Sequence, residues 1–269
     1  MTRPPAVAGM FYPGKPAALR EMVNTLLAAA TSPAIAQPKS QPKALIVPHA
    51  GYIYSGPTAA RAYAELKPWR TAIRRVILLG PTHRVAVNGL ALPETQAFAT
   101  PLGNIPLDRE AIERISTLPQ IVFSDLAHAQ EHSLEVHLPF LQCLLDDFVL
   151  VPLAVGHASP EDVAEVLENL WGGPETLIVI SSDLSHFLSY AQANQVDRNT
   201  CEHILQGNTH IRPEQACGAY PINGLLLAAK RHELLPQLIQ YCNSGDTAGD
   251  KQRVVGYAGF AFEASDCHG

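Results

Sequence analysis

Charge is what this sequence has least of. Its 19 Lys+Arg and 25 Asp+Glu make up 16% of 269 residues, against about 25% in typical globular proteins. The net charge is −6, and the acidic residues are spread along the chain. No basic stripe exists to neutralise a phosphate backbone, so no nucleic-acid partner is expected. No apolar run approaches the roughly 18 residues of a membrane span, which argues against a membrane protein. Met1–Gly9 carries one basic residue and no sustained apolar stretch, so no secretory signal is expected either. Cysteine is sparse as well. The five, Cys143, Cys201, Cys217, Cys242 and Cys267, are odd in number and form no CxxC pair. That pattern suits a reducing cytoplasm better than a disulfide framework.

What is present is apolar residue (47%), 22 prolines, 18 glycines and 11 histidines. This is ample for a large buried core and excludes disorder. Short runs rich in β-branched residues read as buried strands: Ala44–Pro48, Arg75–Gly80, Phe148–Val155, Thr176–Ser181 and Val254–Phe262, with Gly89–Leu92 weaker. Helical spacing marks Lys15–Ala30, Pro57–Leu66, Asn223–His232 and Leu234–Tyr241. Pro57 is placed at a first helical position, and Ser159-Pro160-Glu161-Asp162 opens a further helix with an N-cap, an N1 proline and acidic residues in the first turn. Strands alternating with helices predict an α/β fold, a three-layer αβα sandwich around a mixed, largely parallel sheet. Pro33–Pro42 reads as a connector inside one domain spanning residues 1–269.

Three histidines follow strand runs almost directly. His49 ends ALIVPH, His83 ends RVILLGPTH, and His186 ends TLIVISSDLSH with Asp183 three residues before it. Ligands of open α/β sheets bind outside the carboxyl ends of the strands, so parallel, adjacent strands would deliver these imidazoles to one edge. Gly51, Gly56 and Gly80 flank these turns, and Tyr52 and Tyr54 are candidates to wall a pocket or simply to pack.

Glu131-His132-Ser133-Leu134-Glu135-Val136-His137 holds two more. His132 and His137 lie five apart, roughly 140° around a helix, and cannot grip one ion from it. His132 and Glu135, three apart, would share a face, which makes His132 a pocket candidate. The other histidines carry no positional signal. In the loop 243–250, a carboxylate could complete a metal site begun by His49 and His83; Asp246 is preferred and Asp250 is the reserve. Two histidines and a carboxylate with open positions suit non-haem Fe(II). Cys242 is read as a buried inert thiol.

At these residues the sequence resembles the Memo-like family, which is related to the class III extradiol ring-cleaving dioxygenases. The resemblance rests on Pro5–Pro13, Pro48-His49-Ala50-Gly51-Tyr52, Gly80-Pro81-Thr82-His83, Glu131–Glu135, Ser182–Phe187 and Gly256–Gly259, in that order. Prokaryotic members are described as AmmeMemoRadiSam system protein B, which implies association with AMMECR1-like and radical SAM proteins. It further implies that His49 and His83 are the histidine ligands of Fe(II) and that His186 is the acid/base. At the third-ligand position the alignment places Thr247, a poor donor, beside Asp246, a good one. Either Asp246 takes over the position or metal binds weakly.

The expected function is therefore an Fe(II)-dependent oxidoreductase acting on a small, possibly catecholic substrate, with copper or zinc as alternative metals. In that scheme His186 moves the substrate proton, Asp183 orients it or supports a ligand, and His132 contacts substrate or oxygen. The alternatives are a non-enzymatic metal-binding module recognising a peptide or small ligand, and a zinc-dependent hydrolase.

Overall fold

The computed structural model describes residues 1–30 and 40–264; Cys267, His268 and most of the Pro33–Pro42 connector lie outside them. The chain begins with β1 (Thr2–Arg3), α1 (Pro16–Ala30), β2 (Ala44–Val47), α2 (Tyr52–Ala64) and β3 (Arg75–Pro81). Shorter elements follow: β4 (Leu90–Leu92), β5 (Ala97–Thr100), β6 (Gly103–Pro106), α3 (Arg109–Ile115), β7 (Ile121–Phe123), α4 (Asp125–Ala129) and α5 (Leu138–Leu144). The remainder comprises β8 (Val149–Val155), α6 (Pro160–Leu170), β9 (Thr176–Ser181), β10 (His186–Leu188), α7 (Tyr190–Leu205), α8 (Ala219–Arg231), β11 (Leu234–Asn243) and β12 (Val254–Ala264).

The main sheet runs β10-β12-β2-β9-β3-β8-β4-β7, with β11 also paired to β12. Its centre, β2-β9-β3-β8, is parallel, and β12 and β4 join it antiparallel on either side. The connection from β2 to β3 steps over β9 in one direction. The connection from β8 to β9 steps over β3 in the other. With right-handed crossovers, α2 and α6 must then lie on opposite faces. In agreement, α2 packs with α1 and α5, whereas α6 packs with α3 and α8. The result is an α/β sandwich around a mixed, largely parallel sheet. Coverage on both faces explains why Leu45, Ile77, Val151 and Ile178 are all buried in unbroken apolar runs.

Local signals place most boundaries. Ser159 accepts from the Asp162 N–H while the Asp162 carboxylate accepts from the Ser159 N–H, a reciprocal cap just before Pro160. Two helical expectations need correction. The helix expected from Pro57 begins at Tyr52, with Pro57 inside it. Leu234–Tyr241 is not a helix but most of β11, paired along its length with β12. Burial in β11 alternates early, as in Leu234-Leu235-Pro236-Gln237, so neighbouring β12 decides the conformation that local spacing left ambiguous.

Because β2, β9 and β3 are parallel neighbours, Val47, Ser181 and Pro81 end at one edge of the sheet. His49, Asp183 and His83 follow there within two residues.

Candidate metal centre

His49, His83 and His132 converge at this edge. One ligand nitrogen from each lies within 4.8 Å of the others, the group of this kind found among the described residues. The His83 and His132 rings stack with centroids 4.7 Å apart, and His49 meets them edge-on at 5.2 and 5.3 Å. His49 is buried, His83 is exposed, and Phe11 covers the partly buried His132 at 4.7 Å between ring centroids.

Two of the three lone pairs are directed by a hydrogen-bond partner. The Ser181 hydroxyl donates to the Ser133 carbonyl at 2.6 Å. Its 2.6 Å contact with His49 Nδ1 must therefore be accepted from an Nδ1–H. That leaves the lone pair of His49 on Nε2, which faces the Cys217 thiol at 3.4 Å. His83 Nδ1 lies 2.9 Å from the Glu131 carboxylate. A histidine that gives one N–H to a carboxylate and turns the other nitrogen inward is the usual preparation of a metal ligand. Burial, then the neighbouring imidazoles, pushes His49 well below its ordinary pKa. Burial also holds His132 down at about 4. Both are neutral at pH 7, with lone pairs available. Burial alone would raise the Glu131 carboxyl, yet hydrogen bonds from His83 and Ser133 hold it at about 2. This donor set fits a divalent metal ion.

The other expected site residues take different places. Asp183 accepts from the His49 N–H at 2.8 Å, so it props the loop that carries a ligand. Burial raises its carboxyl to about 7. His186 opens β10 and pairs with Val255 of β12; burial lowers its pKa, a hydrogen bond to the Leu184 carbonyl opposes this, and nearby His83 lowers it further.

Asp246 is not brought into the cluster. It is exposed, and its carboxylate accepts from the Tyr190 hydroxyl at 2.6 Å and from the Asn243 N–H at 3.0 Å. Thr247 and Asp250 are also exposed; the Thr247 hydroxyl donates to the Ser244 carbonyl, and Asp250 accepts from the Gln252 and Arg253 N–H groups.

The helical reasoning about residues 131–137 does not apply as expected. His132 sits in an irregular turn before a single 3-10 turn, Glu135–His137. Glu135 shares no face with it; its carboxylate holds Arg3, Tyr12 and the Ala6 and Val7 N–H groups. His137 is buried against the Tyr63 hydroxyl at 2.9 Å. Tyr52 packs between Tyr12 and Phe140 and donates to the Val136 carbonyl. The residues that sequence reasoning missed are Ser181 and Glu131. Nothing but the adjacency of Glu131 to His132 marked either one.

Residues 3–261 match the family described as Memo-like protein. A MEMO1 family protein of Sulfolobus acidocaldarius is 33% identical, covering 97% of this chain and 99% of its own. MEMO1 family proteins of Methanothermobacter thermautotrophicus and Aquifex aeolicus are each 34% identical, over 96% and 97% of this chain and 99% and 98% of theirs.

Proposed function

The chain belongs to the Memo-like protein family, and from that premise we propose that it is a mononuclear metal-dependent oxidoreductase with His49, His83 and His132 as ligands. The observation that carries this reading is the convergence of three imidazoles, two of them with Nδ1 engaged by a hydroxyl or a carboxylate. The metal is Fe(II), and the substrate is a small catecholic molecule. Fe(II) would supply a Lewis-acidic, redox-active centre with positions left open beyond the three ligands.

The chain's own residues do the rest. His186, kept neutral by burial, accepts the substrate's hydroxyl proton and later returns it. Asp183 holds the His49 backbone. Phe11 and the buried wall behind His132 keep water from one side of the centre.

The test is anaerobic loading with Fe(II), comparing wild type with His49→Ala, His83→Ala and His132→Ala. Each variant is expected to lose most of the bound iron. Equal iron in all four proteins would refute the centre. Iron binding without catechol-dependent oxygen uptake would leave the centre and remove the oxygenase reading.

A second reading, a zinc-dependent hydrolase, is favoured by one observation. The donor set contains three neutral imidazoles and no carboxylate, a set that catalytic zinc also uses. Hydrolysis of a chromogenic ester by the zinc-loaded protein, abolished in His83→Ala, would support it; no hydrolysis would dismiss it.

A further inference from the structure

Glu131 touches two of the three ligand residues, and its side chain is 2% exposed. Its Oε2 accepts from the His83 backbone N–H at 2.6 Å. Its Oε1 accepts from His83 Nδ1 at 2.9 Å, from the His132 N–H at 2.9 Å and from the Ser133 N–H at 3.0 Å. Ionised, the carboxylate can accept all four, three of them converging on Oε1 and one on Oε2. An ionised carboxylate can only accept, and so His83 must carry its proton on Nδ1 and its lone pair on Nε2.

The turn that carries Glu131 is itself clamped. Arg3, buried and remote in sequence, donates through one guanidinium nitrogen to the Glu131 carbonyl at 2.6 Å and through Nε to the His128 carbonyl at 2.8 Å. Its third nitrogen pairs with the Glu135 carboxylate at 2.6 Å. Little slack remains for the carboxylate to follow a displaced imidazole.

The geometry points to Glu131 as the positioning residue of this centre: it selects Nε2 of His83 as the ligand atom and sets the backbone from which His132 reaches the same point. This rests on the three-histidine metal reading above. Ser181 performs the corresponding task for His49, which gives an internal control.

The test uses the full chain and Zn(II), a redox-silent probe. In Glu131→Gln one acceptor oxygen becomes an NH₂ group, so at least one of the four N–H donors faces another donor. Competition against a chromophoric chelator is expected to show Zn(II) binding about 10- to 100-fold weaker. In the metal-free protein, long-range ¹H–¹⁵N spectra are expected to show His83 as the Nδ1–H tautomer in wild type. In Glu131→Ala, which leaves His83 Nδ1 without its acceptor, the Nε2–H form should grow in at His83, while His49 keeps its wild-type signals. A purely structural role would not move one tautomer and spare the other.

Wild-type Zn(II) affinity in a folded Glu131→Gln protein, or wild-type tautomers in a folded Glu131→Ala protein, overturns the inference. Should either variant fail to fold, Glu131→Asp, which keeps the charge but withdraws it by one methylene, must show the same direction of change; no change overturns it. A wild-type His83 in the Nε2–H form overturns it without any variant. A wild type that shows the Nδ1–H form yet binds no Zn(II) refutes the metal reading instead, and upholds Glu131 as the residue that sets His83.

Discussion

Ser181 Oγ stands 2.6 Å from His49 Nδ1, and its single proton is committed to the Ser133 carbonyl. A hydroxyl at the last position of β9 therefore decides which nitrogen of an imidazole just beyond the end of neighbouring β2 carries the lone pair. Ser181→Ala removes that decision without touching a ligand. Zn(II) affinity, read by chelator competition, should fall by about tenfold or more, and stability by about 1 kcal/mol for the lost hydrogen bond. Unchanged affinity would show that His49 chooses its tautomer without help.

Arg3 and Glu135 form a buried pair at 2.6 Å, with side chains 4% and 0% exposed. Arg3→Ala leaves a buried carboxylate with only the Tyr12 hydroxyl and two backbone N–H groups. The expected cost is about 3–5 kcal/mol in urea unfolding. A loss well under that range would mean that those remaining donors suffice to stabilise the charge.

His128 gives a pH signature. It is buried, and that burial lowers its pKa to about 4, although the hydrogen bond to the Ala91 carbonyl opposes the shift. The unfolded chain takes up this proton near 6.5 and the native protein does not. Stability attributable to the neutral ring is therefore complete above pH 6.5 and is lost as pH falls from there to about 4. For this one group the loss is on the order of 3 kcal/mol. His128→Gln, less stable at pH 8, should lose stability less steeply than wild type across that window. Parallel curves in denaturant titrations would contradict the assignment.

Asp246 supplies a negative prediction. Its carboxylate is held by Tyr190 and Asn243, away from the three histidines. Asp246→Ala should bind Fe(II) as wild type does when metal content is measured after anaerobic loading. Loss of iron comparable to that of His83→Ala would restore Asp246 as a ligand.

The sequence was most informative where the signal is local. The run Thr176–Ser181 is β9 residue for residue, because an unbroken β-branched run suits a strand buried on both faces. Ser159 and Pro160 start α6 as their capping chemistry requires. His49 and His83 were legible for a related reason: residues just after parallel strands must emerge at one sheet edge. Leu234–Tyr241 was misread because eight apolar and polar residues satisfy helix and strand spacing alike, and only pairing with β12 breaks the tie.

By itself the sequence determined a sheet covered on both faces and the edge at which imidazoles gather, since these follow from backbone periodicity and strand direction. Only the tertiary structure decided which groups meet there. His132 arrives from an irregular turn 49 residues beyond His83, Glu131 and Ser181 assign the protons, and Arg3 clamps the turn from the far end of the chain. Such contacts are long-range, and no local pattern encodes the direction in which a side chain's lone pair will point.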